Sequence, residues 1–258
     1  MNQDDRRKYL IEGLLKERPE YENMQIPSDA GEQKMLLRSL MNIRMPEEID
    51  PAFLQIQDAY LSEENEKKGI VTLADIGEVQ PDLYIWKGDI TRLEVDAIVN
   101  AANKTLLGCM KPLHDCVDNA IHTYAGVQLR QACFELILEQ GYEEPVGMAK
   151  ITPAYNLPSA FVIHTVGPKI VDQPTQIDED LLAKSYLSVL ALAEKNNIES
   201  IAIPCLSTGD FNFPKQKAAK IAIQTVKTFI DESSIIKKVI FNVFDDENLA
   251  IYQKLLAE

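Results

Sequence analysis

From residue 70 onward, apolar runs of strand length alternate with stretches of helical periodicity, and this alternation restricts the fold more than any other feature of the chain. The runs occupy 83–86, 97–99, 150–152, 160–164, 200–204 and 238–244, and helical spacing fills 113–125, 128–140, 178–196, 214–231 and 246–257. Ser-Ile-Ala-Ile-Pro at 200–204 is almost unbroken by polar residues, as a strand buried on both faces requires. Such strands interleaved with helices predict an α/β domain of three layers, with a largely parallel mixed sheet between helices. In that architecture a ligand lies beyond the carboxyl ends of the strands, so the residues just after each run are the ones to inspect.

Residues 1–69 have another texture. Apolar residues recur at helical spacing three times, around Leu10 and Leu14, Leu37 and Met41, and Phe53 and Tyr60, with breaks at Pro27-Ser28-Asp29 and Pro46. Glu-Glu-Asn-Glu-Lys-Lys-Gly at 63–69 reads as a charged connector. The expected organisation is an N-terminal helical region at 1–69, whose apolar stripes cover part of an α/β domain at 70–258. Forty acidic residues against 26 basic ones give a formal charge of −14. That charge repels polyanions, so direct nucleic-acid binding and anionic-membrane binding are not expected, and an anionic ligand would need local donors. With no run of 18 apolar residues and no apolar leader, the sequence predicts a cytoplasmic protein that does not span a membrane. Its four cysteines do not form a disulfide framework; two are clustered, and Cys133 and Cys205 stand alone.

Three strand ends carry residues suited to chemistry. The run ending at Val99 empties into Asn100-Ala101-Ala102-Asn103, where small side chains admit a ligand to the backbone and carboxamides offer donors and acceptors. Cys109, His114 and Cys116 follow at a spacing of Cys-x4-His-x-Cys. Two thiolates and an imidazole suit zinc or another borderline-soft ion, and three protein ligands leave one coordination position open, as catalytic sites do. Asp118 and His122, four apart, share one helical face. After the run at 83–86, Gly88-Asp89-Ile90-Thr91 is either a plain turn or a carboxylate placed for an exocyclic amine. After 200–204, Ser207-Thr208-Gly209-Asp210-Phe211 gathers backbone N–H groups able to hold a diphosphate, with Gly209 expected to supply both space and an unusual φ. Neither G-x-G-x-x-G nor a Walker sequence is present, so dinucleotide redox and NTPase chemistry lack their usual support.

Gly88 to Thr91, the Asn100 to Asn103 segment with its preceding strand, Ile121-His122 to Ala125-Gly126, Val162-Ile163-His164-Thr165-Val166-Gly167-Pro168 and Ile203 to Gly209 stand in the order and spacing of the macrodomain family. The resemblance covers residues 70–258, and residues 1–69 find counterparts in a bacterial subgroup. Where most macrodomain hydrolases carry a run of glycines after the Asn-Ala-Ala-Asn segment, this chain has the Cys109, His114, Cys116 loop, which resembles that of zinc-containing bacterial protein-ADP-ribose hydrolases. The resemblance implies that Asp89 reads the adenine amino group beside the Ile90 backbone, that Asn103 and Asp118 face the distal ribose, and that Ser207, Thr208, Gly209, Asp210 and Phe211 close over the diphosphate. It implies a catalytic set of Asp118, Asn103 and Cys116, with Zn2+ on Cys109, His114 and Cys116, and structural roles for His122 and His164. The implied activity is removal of mono-ADP-ribose from acidic side chains of an ADP-ribosylated protein, in the bacterial subgroup a lipoyl-carrier protein. Two alternatives use the same pocket: a non-catalytic ADP-ribose reader and an O-acetyl-ADP-ribose deacetylase.

Overall fold

The computed structural model describes residues 1–21 and 23–257. Its centre is a seven-stranded sheet of β1 (Glu78–Gln80), β2 (Leu83–Lys87), β3 (Ala97–Ala101), β4 (Ala149–Pro153), β5 (Phe161–Thr165), β6 (Ser200–Pro204) and β7 (Lys238–Val243), in the order β1-β2-β7-β6-β3-β5-β4. The five inner strands run parallel, and the two edge strands are antiparallel to their neighbours. Consecutive residues of an inner strand feed opposite cores, as the period of two demands. Val99, Ile201, Ile203, Val239 and Phe241 face α6 (Gln176–Lys195), α7 (Lys215–Glu232) and α8 (Asp246–Ala257). Ile98, Val162, Ala202 and Ile240 face α4 (Val117–Ala125) and α5 (Val127–Gln140). Three α/β/α layers with a largely parallel mixed sheet are the predicted architecture.

The N-terminal region contains the three expected helices, α1 (Gln3–Lys16), α2 (Ala30–Ile43) and α3 (Pro51–Lys68). Each starts at a polar cap: Asn2 accepts from the Asp5 N–H, Asp29 from Glu32, and Asp50 from Ala52 just after Pro51 at the first helical position. Two sequence expectations about these elements need correction. Residues 63–68 are not a connector but the last turns of α3, where Lys67 pairs with Glu63 at 2.8 Å one turn away and Gly69 ends the helix. Residues 113–116 are not helical, because the thiol of Cys116 caps α4 and the helix begins only at Val117. The short strand β1, only three residues with no apolar alternation, was not evident in the pattern.

The third correction concerns what the N-terminal stripes cover. Leu10, Ile11, Leu14, Leu37, Leu40, Met41, Phe53, Tyr60 and Leu61 pack mainly on one another, with Val127, among the described residues, the one buried residue of the α/β body in that cluster. The seam to the body is largely polar. Gln57 accepts from the Val127 N–H at 3.0 Å and its amide reaches Gln128 at 2.6 Å. Asn65 donates to the Asn156 carbonyl at 2.7 Å. Gly126 links α4 to α5 at φ +103°, and a Cβ there would lie 2.6 Å from both Gln57 and Gln128. At the centre, Arg130 of α5 is 4% exposed and donates to the carbonyls of Leu107, Met41 and Arg44. Burial lowers its pKa to about 10, which leaves the guanidinium charged at neutral pH. Arg130→Met keeps the volume but strips the donors from three buried carbonyls, so unfolding free energy in urea should fall by ~3 kcal/mol or more. A loss below ~0.5 kcal/mol would contradict the seam's importance.

Candidate active site

The parallel strands deliver their carboxyl ends to one edge, and the predicted site residues gather there. Asp89, two residues beyond β2, caps a short 3-10 turn; its Oδ1 accepts from the Thr91 N–H at 3.0 Å and hydroxyl at 2.6 Å. Its Oδ2 pairs with Lys68, the last residue of α3, at 2.7 Å. The Lys68 Nζ also donates to Thr91 Oγ1 at 2.7 Å and lies 3.3 Å from the centre of the Tyr124 ring. Burial alone would raise the Asp89 pKa, but Lys68 and the Thr91 bonds hold it below the usual carboxylate range. Burial likewise lowers Lys68 against the pull of Asp89. Ile90 is buried, which fixes its backbone beside that carboxylate. Phe244 follows β7, the strand paired with β2, and its ring is 68% exposed at the same edge.

The first loop leaves β3 at Asn103, whose Oδ1 accepts from the Thr105 N–H and hydroxyl while its amide donates to the Gly108 carbonyl at 3.0 Å. Asn103 therefore shapes the loop. Gly108, at φ +80°, passes over His122 so closely that a Cβ would approach the ring to 2.7 Å. Beyond it, Cys109 Sγ lies 3.3 Å from His114 Nδ1, and one ligand atom from each of Cys109, His114 and Cys116 lies within 4.8 Å of the others. Donors sharing one tetrahedral zinc ion stand about 3.5–3.8 Å apart. The set of two sulfurs and one nitrogen, half-buried and already convergent, thus fits zinc in kind and spacing. Burial, with Cys109 alongside, pushes the Cys116 thiol up to about 12, and a cation there would reverse this by favouring thiolate.

Beneath the loop lies a buried polar chain. Asp118 is 6% exposed, and burial raises its pKa to about 6. Its Oδ1 accepts from Asn100 Nδ2 at 2.8 Å and stands 3.6 Å from His122 Nε2. The same Asn100 amide lies 3.2 Å from His164 Nδ1, while His164 Nε2 lies 2.9 Å from Thr152 Oγ1. If Asn100 donates to Nδ1, His164 is the Nε2–H tautomer and donates to Thr152. Burial lowers His164 to about 3 and His122 well below its ordinary range, so both rings are neutral. His122, Cys133 and His164 also bring ligand atoms within 4.8 Å of one another. Both His164 nitrogens are already engaged, however, so this second cluster is packing and not a metal set. Both histidines are buried inside the domain.

The second loop, after β6, comes back over the first. Ser207 is buried at φ 63°, and its hydroxyl occupies the space a Cβ on Gly167 would need, 2.1 Å away. Thr208 turns its hydroxyl to the Cys205 carbonyl, the Phe211 carbonyl accepts from Ile170, and Asp210 Oδ2 lies 3.8 Å from His114 Nε2. Gly209 corrects an expectation. The left-handed residues here are Ser207 and Asn212, not Gly209, and a Cβ at 209 would meet nothing within 4 Å. Its contribution is exposed backbone and open space, not an unusual φ. Sequence reading missed Lys68, Asn119 and Phe244. Phe244 had a signal, an aromatic at the end of an apolar run, whereas Lys68 reaches Asp89 only through the fold.

The Macro domain family matches residues 99–222 of the chain. A protein of Treponema medium named Protein-ADP-ribose hydrolase is 53% identical over 261 residues, covering 100% of both chains, and one of Staphylococcus aureus with the same name is 45% identical, covering 96% of this chain and 94% of its own. A Klebsiella pneumoniae protein named O-acetyl-ADP-ribose deacetylase is 46% identical but covers 69% of this chain and 97% of its own. Among solved structures, the Trypanosoma brucei macrodomain in complex with ADP-ribose superposes with a TM-score of 0.66 at 29% identity, covering 85% of this chain and 94% of that one. The Oceanobacillus iheyensis macrodomain with ADP gives 0.64 at 39% identity, over 70% and 94%. With its sheet order, its strand-end loops and full-length relatives in agreement, the chain belongs to the macrodomain family.

Proposed function

We propose that the chain is a hydrolase that removes mono-ADP-ribose from modified acidic side chains of a target protein, with zinc held by Cys109, His114 and Cys116. The observation that carries this reading is coverage. The likeness to the two relatives named Protein-ADP-ribose hydrolase runs through the N-terminal helices, whereas the likeness to the deacetylase covers 69% of the chain. A lipoyl-carrier protein is the target that the family resemblance suggests.

The residues divide the ligand between them. Asp89 accepts from the adenine amino group and Phe244 offers a ring face for the base. The backbone of 207–211 donates to the diphosphate, which suits a chain whose net charge is −14. Asn103 and Asp118 meet the distal ribose. Hydrolysis there forms a bond from water oxygen to the ribose carbon, and the target carboxylate leaves with the electron pair of the broken bond. Asp118 orients the water or takes the proton it gives up. When bound, zinc supplies a Lewis acid that polarises an oxygen of the ribose or ester. The test is incubation of the full chain, zinc content measured, with a protein mono-ADP-ribosylated on a carboxylate. Free ADP-ribose should appear; tight binding with no release would leave the reader alternative.

The division of labour sets the expected effect of three substitutions. Asp89→Ala should weaken both ADP-ribose and AMP by ~1–3 kcal/mol in calorimetry, the range for an unpaired hydrogen-bonding group. Unchanged AMP affinity would remove Asp89 from the adenine end. Cys116→Ala should lose the metal and most turnover yet keep a measurable part of the ADP-ribose affinity, because charge stabilisation matters most where charge develops. Asp118→Ala should keep the metal and lose turnover. Equal kcat in Cys116→Ala and wild type would exclude a part for the metal in the reaction.

A further inference from the structure

The loop bearing Cys109, His114 and Cys116 is held in shape from the N-terminal region. Asn119, in the first turns of α4 and fully buried, is the hub. Its amide donates to the carbonyls of Cys109 at 3.2 Å and Lys111 at 3.1 Å, and its N–H lies 3.4 Å from Cys116 Sγ. Its side-chain oxygen accepts from Arg38 of α2 twice, at 2.8 and 3.2 Å, and the same guanidinium donates to the His114 carbonyl at 3.1 Å. One turn on, Asn42 is 1% exposed. Its oxygen accepts from the Leu113 N–H at 3.0 Å and its amide reaches Thr123 Oγ1 at 3.0 Å; Thr123 in turn donates to the Asn119 carbonyl at 2.7 Å. Leu113 is itself left-handed, at φ 56°, which is costly for a residue with a branched side chain and persists only where its surroundings impose it.

We infer that Arg38 and Asn42 are positioning residues for the Cys109, His114, Cys116 centre, acting through Asn119 and the Leu113 backbone. Between them they fix the backbone of His114, the residue before it, and Asn119, whose side chain holds the Cys109 and Lys111 carbonyls and whose backbone N–H meets Cys116 Sγ. Three ligands within the eight residues from Cys109 to Cys116 can converge only if the loop gives up most of its freedom beforehand, and α2 removes that freedom. The N-terminal region is then part of the metal centre, although it contributes no ligand. The inference rests on the metal-holding reading of this loop.

The test uses the full chain as Arg38→Met, Arg38→Lys and Asn42→Ala, with zinc affinity measured by competition against a chromophoric chelator. Cobalt is then substituted to read the thiolate charge-transfer and d–d bands. Affinity for zinc should fall at least about tenfold in Arg38→Met and Asn42→Ala, the usual effect of removing a group that orients ligands. Arg38→Lys, which keeps the charge but not the planar fork, should fall between these and wild type. The cobalt bands should shift or broaden, while AMP affinity stays within about twofold, since the adenine end lies at Asp89; that control also identifies any variant that fails to fold. Zinc affinity and cobalt spectra equal to wild type in both Arg38→Met and Asn42→Ala overturn the inference. A wild-type chain that takes up no zinc overturns the metal-holding reading together with it.

Discussion

The structure depends on a buried polar seam between three N-terminal helices and an α/β body. Arg130 ties α5 to the carboxyl end of α2 and to the first ligand loop with one guanidinium, and Gln57, Asn65, Asn42 and Arg38 complete the join. Apolar contacts are forgiving of small shifts in register, whereas each of these bonds has a direction and a length. Breaking one leaves its partner buried and unpaired, at a cost of about 1–3 kcal/mol. Such a seam does little to make the chain collapse but fixes one orientation of the two parts. The site loops lie against it, so their precision comes from both sides.

On the proposed function, an acidic chain has to serve an anion without adding basic side chains. On that reading the donors lie in backbone at a strand-to-helix junction, where they add no net charge, and two basic side chains beside the cleft are held by other groups. Lys68 is paired with Asp89, and Arg38 holds Asn119 and His114. Asp118 sits in a buried chain of hydrogen bonds with Asn100 and His164, in which every ring is neutral and the carboxylate has a fixed direction. A carboxylate held in this way reorganises little during a reaction, which is the condition under which a charge is most effective.

Much of this could be read from the sequence because it is local. Strand runs with a period of two, the helix start at Asp29, and the spacing of Cys109, His114 and Cys116 all lie within short windows. The residues at strand ends followed from the parallel architecture itself. What failed was of two kinds. At 63–68 and 113–116, composition and apolar spacing misled, because ion pairs along a helix look like a charged linker and a thiol cap looks like a helix interior. Lys68, Arg38 and Asn42 were hidden for another reason: their partners lie 21, 81 and 81 residues away respectively, at Asp89, Asn119 and Thr123, and helical periodicity reports an apolar stripe without saying what its polar neighbours will meet. The same blindness assigned the N-terminal stripes to the α/β body when they pack on one another.

The central claim is that the metal set, the ribose end of the ligand cleft and the α2 seam form one unit. Crystals of the full chain grown with zinc and ADP-ribose, measured on both sides of the zinc absorption edge, test it most directly. The account predicts a single strong anomalous peak bounded by Cys109, His114 and Cys116, with the distal ribose beside it, the adenine at Asp89, and the Arg38 to Asn119 bonds intact. A bound ADP-ribose with no zinc peak in that loop, or one whose adenine rather than ribose faces it, would contradict the account.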